Sequence, residues 1–243
     1  MSEDPDEEAP EAAPEAAREV VPVGKPLKSP EARLRRAKRN QRKAWATGYM
    51  RGICTLLRPG DLVVDLGANR GDVTALLAAT GADVVAFEPD PVTFAKLKAR
   101  FDGVANVTLV HAAAGVGSGK VRLMRADNFA ENPEGASVKS TILDGGRRMD
   151  AGNSVEVALV DFPGWVRDQV AARGSIAFVK MDIEGAELDI LEAMDREGLF
   201  AGIRGLVAET HERKFKDLRD RYKALKAAIA KHEPSGRINL DWI

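Results

Sequence analysis

Leu62-Val63-Val64-Asp65-Leu66-Gly67-Ala68-Asn69-Arg70-Gly71-Asp72-Val73-Thr74 is the stretch from which the rest of the chain is read. Its first five residues form a short apolar run with two valines, the pattern of a strand buried on both faces of a parallel sheet. The glycines then turn the chain, and residues 74–80 have helical composition. A strand, a glycine-rich turn and a helix bring backbone N–H groups and a helix N-terminus to one place, which suits a nucleotide-like ligand. The spacing argues against two common ligand classes. A dinucleotide turn, G-x-G-x-x-G, needs glycine where this chain has Asn69 and Asp72, and the phosphate loop G-x-x-x-x-G-K-[ST] is absent.

A second landmark follows at Asp83-Val84-Val85-Ala86-Phe87-Glu88-Pro89-Asp90. It reads as another apolar strand that ends in an acid. Glu88 lies about 20 residues beyond Gly67, the separation at which a carboxylate reaches a ribose. A carboxylate accepts two hydrogen bonds at once and so suits a vicinal diol. Together the two landmarks outweigh the plain reading of Glu88 as a solvated strand-end charge. The D-x-G-x-N-x-G turn resembles the first motif of the class I S-adenosylmethionine (SAM) methyltransferases. Such a site leaves room for an amino-acid moiety beside the glycines, with Asp65 nearby for polar contacts.

The chain has 243 residues, 44% of them hydrophobic, enough for one domain with a sizeable core and appendages. A net charge of −1 gives no global attraction to nucleic acid or membrane. The single cysteine, Cys54, excludes an intramolecular disulfide and any cysteine-based zinc site. No apolar run approaches the length of a membrane span, and the acidic start has no apolar segment of the secretory kind, so a cytoplasmic protein is expected. Residues 1–30 are expected to be a disordered acidic tail, because Glu, Asp, Pro and Ala dominate 1–17 and bury too little to offset chain entropy. Residues 31–58 are expected to form a basic amphipathic helix, with apolar positions at Leu34, Ala37, Trp45, Tyr49, Ile53, Leu56 and Leu57. Its basic run at 33–43 is read as a solvated face rather than a nucleic-acid surface, since only Trp45 and Tyr49 are available for base stacking.

The remaining unit, 59–243, alternates strand and helix, which argues an α/β fold with a mostly parallel central sheet and helices on both faces. Core strands are expected at 62–66, 84–87, 107–110, 176–181 and 205–209, extra strands at 120–125 and 155–160, and a short closing strand within 237–243. Helices are expected at 91–101, 162–172, 186–197 and 215–231. The segment 127–153, rich in Gly, Asn, Ser and charge, reads as a long functional loop, with Asn132, Ser137 and Ser140 available to a polyol.

Four blocks then occur in order: Asp65-Leu66-Gly67-Ala68-Asn69-Arg70-Gly71, Phe87-Glu88-Pro89-Asp90-Pro91, Lys180-Met181-Asp182-Ile183-Glu184-Gly185-Ala186-Glu187 and Glu209-Thr210-His211. Together they resemble the FkbM family of SAM-dependent methyltransferases, over about residues 55–211. The K-x-D-x-E-G-x-E block is the most specific of the four. The resemblance implies a Rossmann-like class I methyltransferase fold and O-methylation of a hydroxyl on a small molecule or a glycan. It implies a SAM site made by Asp65, Gly67, Asn69, Gly71, Glu88, Asp90 and Asp182, with His111 after the third strand lining the adenine pocket.

Methyl transfer is an in-line displacement, so much of the catalysis comes from alignment. A hydroxyl acceptor must also lose its proton. Asp182, Glu184 and His211 are the catalytic candidates, because they follow strands whose carboxyl ends face the crevice of an open α/β sheet. The plainer readings are a helix cap for Asp182, a helix N-terminal charge for Glu187 and a structural histidine for His211. Asp182, Glu209 and His211 also make a candidate Mg²⁺ set. The residue types favour a metal-free reaction, because Mg²⁺ does not need the imidazole and Lys180 stands beside the carboxylates. Two other functions remain open at this point: a catalytically weak SAM-binding protein that grips RNA or an acidic partner through 33–43, and an NAD-dependent oxidoreductase, disfavoured by Asn69 and Asp72.

Overall fold

The computed structural model describes residues 29–126, 140–143, 149–212, 215–233 and 236–242. The chain divides into two units, Met1–Asn40 and Gln41–Ile243. Helix α1 (Pro30–Leu56) runs through the boundary. In the first unit its basic residues are solvent-exposed, and Arg35 pairs with Glu31 at 3.4 Å. Such an exposed i,i+4 pair contributes at most a few tenths of a kcal/mol, on the order of 0.3–0.5. In the second unit α1 buries Ala46 and Met50. The apolar stripe expected from the sequence holds in part: Leu57 is buried and Tyr49 and Ile53 pack on the core, whereas Leu34, Trp45 and Leu56 are exposed and Ala46 and Met50 complete the buried face.

The second unit is organised by a six-stranded sheet. Its strands are β1 (Leu62–Leu66), β2 (Asp83–Phe87), β3 (Val107–Val110), β7 (Phe178–Met181), β8 (Leu206–Ala208) and β9 (Ile238–Asn239), in the order β3-β2-β1-β7-β8-β9. All five pairings are parallel. β1 sits centrally and is buried along its whole length, as its unbroken apolar run requires. The strand order reverses direction at β1, between β2 and β7, and that reversal opens a crevice beyond the carboxyl ends of the strands.

Alternate residues of the strands face opposite layers. Leu62, Val64, Leu66, Val179 and Met181 pack with helices α4 (Phe162–Arg173), α5 (Glu187–Arg196) and α6 (Arg219–His232). Val63, Val84, Phe178 and Val207 pack with α1 and α2 (Asp72–Ala78) on the other side. Helix α3 (Pro91–Arg100) begins at Asp90, whose Oδ1 accepts hydrogen bonds from the N–H groups of Val92 and Thr93. Pro91 occupies the first helical turn, where its missing N–H costs nothing.

A second sheet holds β4 (Ala113–Gly115), β5 (Gly119–Ala126) and β6 (Met149–Asp161) in the order β4-β6-β5. The structure corrects the sequence reading here. β6 begins at Met149, inside the expected loop, because its first residues continue to pair with β5 through Arg125↔Asp150 and Ala126↔Met149. A register shift between Met124 and Arg125 accommodates the extension, and Gly152 and Asn153 fall within that irregularity, between the paired Ser154 and Asp150. Two further boundaries move. A 3₁₀ turn at Lys216–Leu218 precedes α6, and the closing strand is only two residues long and runs parallel to β8.

Candidate functional site

The crevice holds a cavity of about 510 Å³, whose walls include Gly67, Asn69, Glu88, Asp182, Glu184 and Glu209. One end is built by the turn after β1. The N–H groups of Gly67 and Ala68 both donate to the Phe87 carbonyl, at 3.1 and 2.9 Å, which clamps the turn to the end of β2. Gly67 has φ +75°, and a Cβ there would lie 1.9 Å from the Asp182 carbonyl oxygen. Gly71 has φ +82°, and its Cβ would lie 2.3 Å from the Phe101 ring. A side chain at either glycine would meet the protein itself, while Gly67 still borders the cavity. Asn69 also adopts positive φ, +50°, which its short polar side chain tolerates, and its N–H donates to Glu88 Oε2 at 2.9 Å.

Glu88 is 6% exposed. Its Oε1 accepts from the Asp90 N–H at 2.9 Å. Burial pushes its carboxyl up to about 7, against the two backbone N–H groups that favour the ionised form. Below it Phe87 packs edge-on against Phe162 and Trp165, at 6.1 and 5.7 Å between ring centroids, so the strand end that carries Glu88 is anchored in the core. The sequence thus brings Gly67, Asn69 and Glu88 to the cavity.

Four expected cofactor residues do not line it. Asp65 is fully buried beneath the turn, where Oδ2 accepts from the Thr74 hydroxyl at 2.7 Å and Oδ1 lies 3.1 Å from Lys180 Nζ. Asp90 is consumed by capping α3 and by an ion pair of 2.7 Å with Arg125. Gly71 starts α2 against Phe101 and Leu97. His111 is exposed and stacks on Phe94 at 4.3 Å. A strand-end acid or histidine is equally placed by sequence to cap, to pair or to face a ligand, and only the packing distinguishes these roles.

Lys180 joins the two halves of the site. Its Nζ donates to the carbonyls of Gly67 and Leu66, at 2.9 and 3.2 Å, and lies 3.9 Å from Asp182 Oδ2. Burial pulls its pKa down, but the charges of Asp65 and Asp182 outweigh this and hold the ammonium above its ordinary range.

Asp182, Glu184 and Glu209 line the other end of the cavity, and His211, 4% exposed and outside the lining, lies against them. Its Nε2 lies 3.3 Å from Glu184 Oε2, 3.9 Å from Asp182 Oδ1 and 3.9 Å from Glu209 Oε1. Its Nδ1 lies 3.0 Å from Glu187 Oε1. Glu187 is fully buried, and its two oxygens also accept the N–H groups of Ile183 and Gly185, both at 2.8 Å. An acceptor engaged in this way places a hydrogen on Nδ1 and faces Nε2 toward Asp182, Glu184 and Glu209. Glu184 has φ +62°, a strained backbone for a non-glycine residue. Its carbonyl accepts from the Thr141 hydroxyl at 2.8 Å. Thr141 in turn exchanges both backbone hydrogen bonds with Met124, so residues 140–143 are pinned beside the cluster.

Ser140 lines the cavity, while Asn132 and Ser137 lie outside the described residues. The sequence reading missed Ile142 and Trp242, which line the cavity from distant parts of the chain and carry no local motif. It also took Glu187 for a helix-end charge, whereas Glu187 holds His211 and the turn after β7. No helix among the described residues is long and apolar enough to cross a membrane.

Comparison with known proteins matches residues 65–227 to the methyltransferase FkbM domain. The 31-O-demethyl-FK506 methyltransferase FkbM of Streptomyces tacrolimicus is 32% identical over 180 residues, covering 64% of this chain and 67% of that protein. Among solved structures, an rRNA methylase from Streptococcus thermophilus aligns over 72% of this chain and 76% of its own, at 14% identity and a TM-score of 0.39. A precorrin-6y C5,15-methyltransferase from Geobacter metallireducens aligns over 76% of this chain and 70% of its own, at 15% identity and a TM-score of 0.36. At such TM-scores these likenesses add nothing to the topology already described.

Proposed function

We propose, from the premise that the chain belongs to the FkbM family of SAM-dependent methyltransferases, that it methylates a hydroxyl oxygen of a small molecule or a glycan. Family membership removes the nicotinamide reading. The observation that carries the proposal is that one cavity is lined both by the buried Glu88 carboxylate and by Asp182, Glu184 and Glu209, each of the last three within 3.9 Å of the His211 imidazole. The cavity residues fit SAM. Glu88, steadied by the N–H groups of Asn69 and Asp90, accepts the ribose hydroxyls, and Gly67, Asn69 and Asp182 form the adjoining wall. When bound, SAM supplies a methyl group as a sulfonium, so that alcohol and SAM give methyl ether, S-adenosylhomocysteine and one proton.

The chain's own residues align the acceptor and handle that proton. Asp182 and Glu184, both partly open to the cavity, orient the acceptor hydroxyl, and His211 with its carboxylates lies where the proton is lost. Ser140 and the apolar Ile142 and Trp242 give this end a mixed lining suited to a polyol or an oxygenated hydrocarbon. Binding at the cofactor end does not require Glu184 or His211. The O-methyl reading is close in kind to the activity named for the 31-O-demethyl-FK506 methyltransferase. A screen of hydroxylated acceptors for S-adenosylhomocysteine release tests it. Turnover on a hydroxyl acceptor that falls at least a hundredfold in Asp182→Ala is expected, and transfer confined to amine acceptors would overturn it.

A further inference from the structure

We infer that Asp182, Glu184 and His211 hold a divalent first-row transition ion at the acceptor end of the cavity. One ligand atom from each of these residues lies within 4.8 Å of the other two. An octahedral ion with bonds of about 2.1–2.2 Å sets neighbouring ligand atoms about 3 Å apart and opposite ones about 4.3 Å apart. The 3.3 and 3.9 Å separations from His211 Nε2 to Glu184 and Asp182 fall in that range. The widest separation closes through Asp182 and Glu184, whose side chains are 30% and 16% exposed and have room to turn. Glu209, 3.9 Å from the same nitrogen, borders the position.

The second observation concerns the far side of the imidazole. Glu187 is fully buried and contributes nothing to the cavity, yet it holds Nδ1 at 3.0 Å while anchoring two backbone N–H groups. A buried carboxylate on the remote nitrogen is the arrangement that fixes tautomer and ring orientation in a metal-ligating histidine and makes Nε2 a better donor. It aims Nε2 at carboxylate oxygens, and with a cation between them that nitrogen serves as a ligand.

The residue types alone argued against a metal on two grounds, and the geometry changes both. Lys180 lies 3.9 Å from Asp182 Oδ2 but is also held by Asp65 and by the carbonyls of Leu66 and Gly67, so its charge is shared with groups outside the proposed ligand set. The imidazole selects among ions. A donor set of one nitrogen and two carboxylate oxygens suits Mn²⁺ or Fe²⁺ better than Mg²⁺ or Ca²⁺. The ion's purpose rests on the O-methyltransfer reading: bound there, it meets the acceptor oxygen and lowers the pKa of its hydroxyl. Its binding does not rest on that reading.

Mn²⁺ titration into the metal-stripped full-length chain, followed by calorimetry and by electron paramagnetic resonance, tests the inference, with SAM titrated in parallel. One Mn²⁺ per chain is expected, with affinity falling at least tenfold in Glu184→Ala. A fall of about 10–100-fold is expected in Glu187→Gln, which touches the histidine and not the ion. SAM affinity and melting temperature in Glu184→Ala are expected to stay near wild type, which separates loss of a ligand from loss of fold. Wild-type protein that binds SAM and no Mn²⁺ overturns the metal site and leaves the methyltransferase reading standing. Unchanged Mn²⁺ affinity in Glu184→Ala also overturns it, since the ion would then sit elsewhere. A folded chain that binds Mn²⁺ and no SAM keeps the site and sinks the proposed function.

Discussion

Between Gly67 and Glu88 the cavity wall is made from one βαβ unit, and its contacts are largely backbone: two N–H groups on the Phe87 carbonyl, and two more on Glu88. At the opposite end the groups come from the turns after β7 and β8, and their contacts are between side chains, with Glu187 and His211 meeting across 24 positions of sequence. The first end is fixed by local geometry and needs glycine and asparagine at positive φ. The second is fixed by the adjacency of two strands and depends on buried charge. The first therefore breaks through sterics, and the second through protonation and pairing.

Gly67→Ala strikes where the two ends meet, since its Cβ would overlap the Asp182 carbonyl and its φ is positive. Strain and overpacking together cost on the order of 4 kcal/mol. Loss of SAM binding with a large drop in melting temperature is expected by calorimetry and thermal unfolding. Wild-type stability in Gly67→Ala would show that the turn is not held against β7. Lys180→Met removes the cation that links the ends and strands the carboxylate of Asp65, which is fully buried. Breaking a buried pair on one side costs about 3–5 kcal/mol. The double variant Asp65→Leu/Lys180→Met is expected to recover part of this in denaturant unfolding, and no recovery would mean that Lys180 acts mainly through the Gly67 and Leu66 carbonyls.

A gentler probe is pH. Burial raises the Glu88 carboxyl from its ordinary 4.5 to about 7. Between those values the folded chain carries a proton that the unfolded chain has lost, so Glu88 makes the free protein less stable as pH rises through that window. Diol binding by the ionised carboxylate has the opposite sign. SAM affinity is expected to rise with pH up to about 7, by at most about tenfold per unit, with up to one proton released on binding. Calorimetry in buffers of different ionisation enthalpy reads that proton, and a flat profile that persists in Glu88→Gln would exclude the coupling. The smallest effect belongs far from both ends. Deleting residues 1–17 is expected to leave melting temperature and SAM affinity unchanged, because an acidic, aromatic-free segment offers little apolar surface to bury. A clear drop would assign the segment a fixed contact.

The same contrast explains what the sequence makes legible. The strands around the crevice announce themselves by apolar runs, and β1 and β3 fall on their expected residues. Glu88 is legible because its distance from the glycine turn is set by one βαβ unit. Asp65 and Asp90 look equally suitable in sequence, but Lys180 and Arg125, 115 and 35 positions away, claim them. Glu187 is invisible as a partner of His211 because no local rule joins them. The start of β6 was hidden by its composition, since Gly152 and Asn153 read as loop, yet pairing with β5 resumes beyond them at Asp150 and Met149.

The most direct test of the two-ended site is SAM titration calorimetry on Glu88→Ala and Glu184→Ala side by side. Losing a hydrogen bond to a charged group costs about 1.5–3 kcal/mol, so Glu88→Ala is expected to bind SAM about ten- to a hundredfold more weakly with its fold retained, while Glu184→Ala binds it as wild type does. A folded Glu88→Ala protein with undiminished SAM affinity would contradict the account.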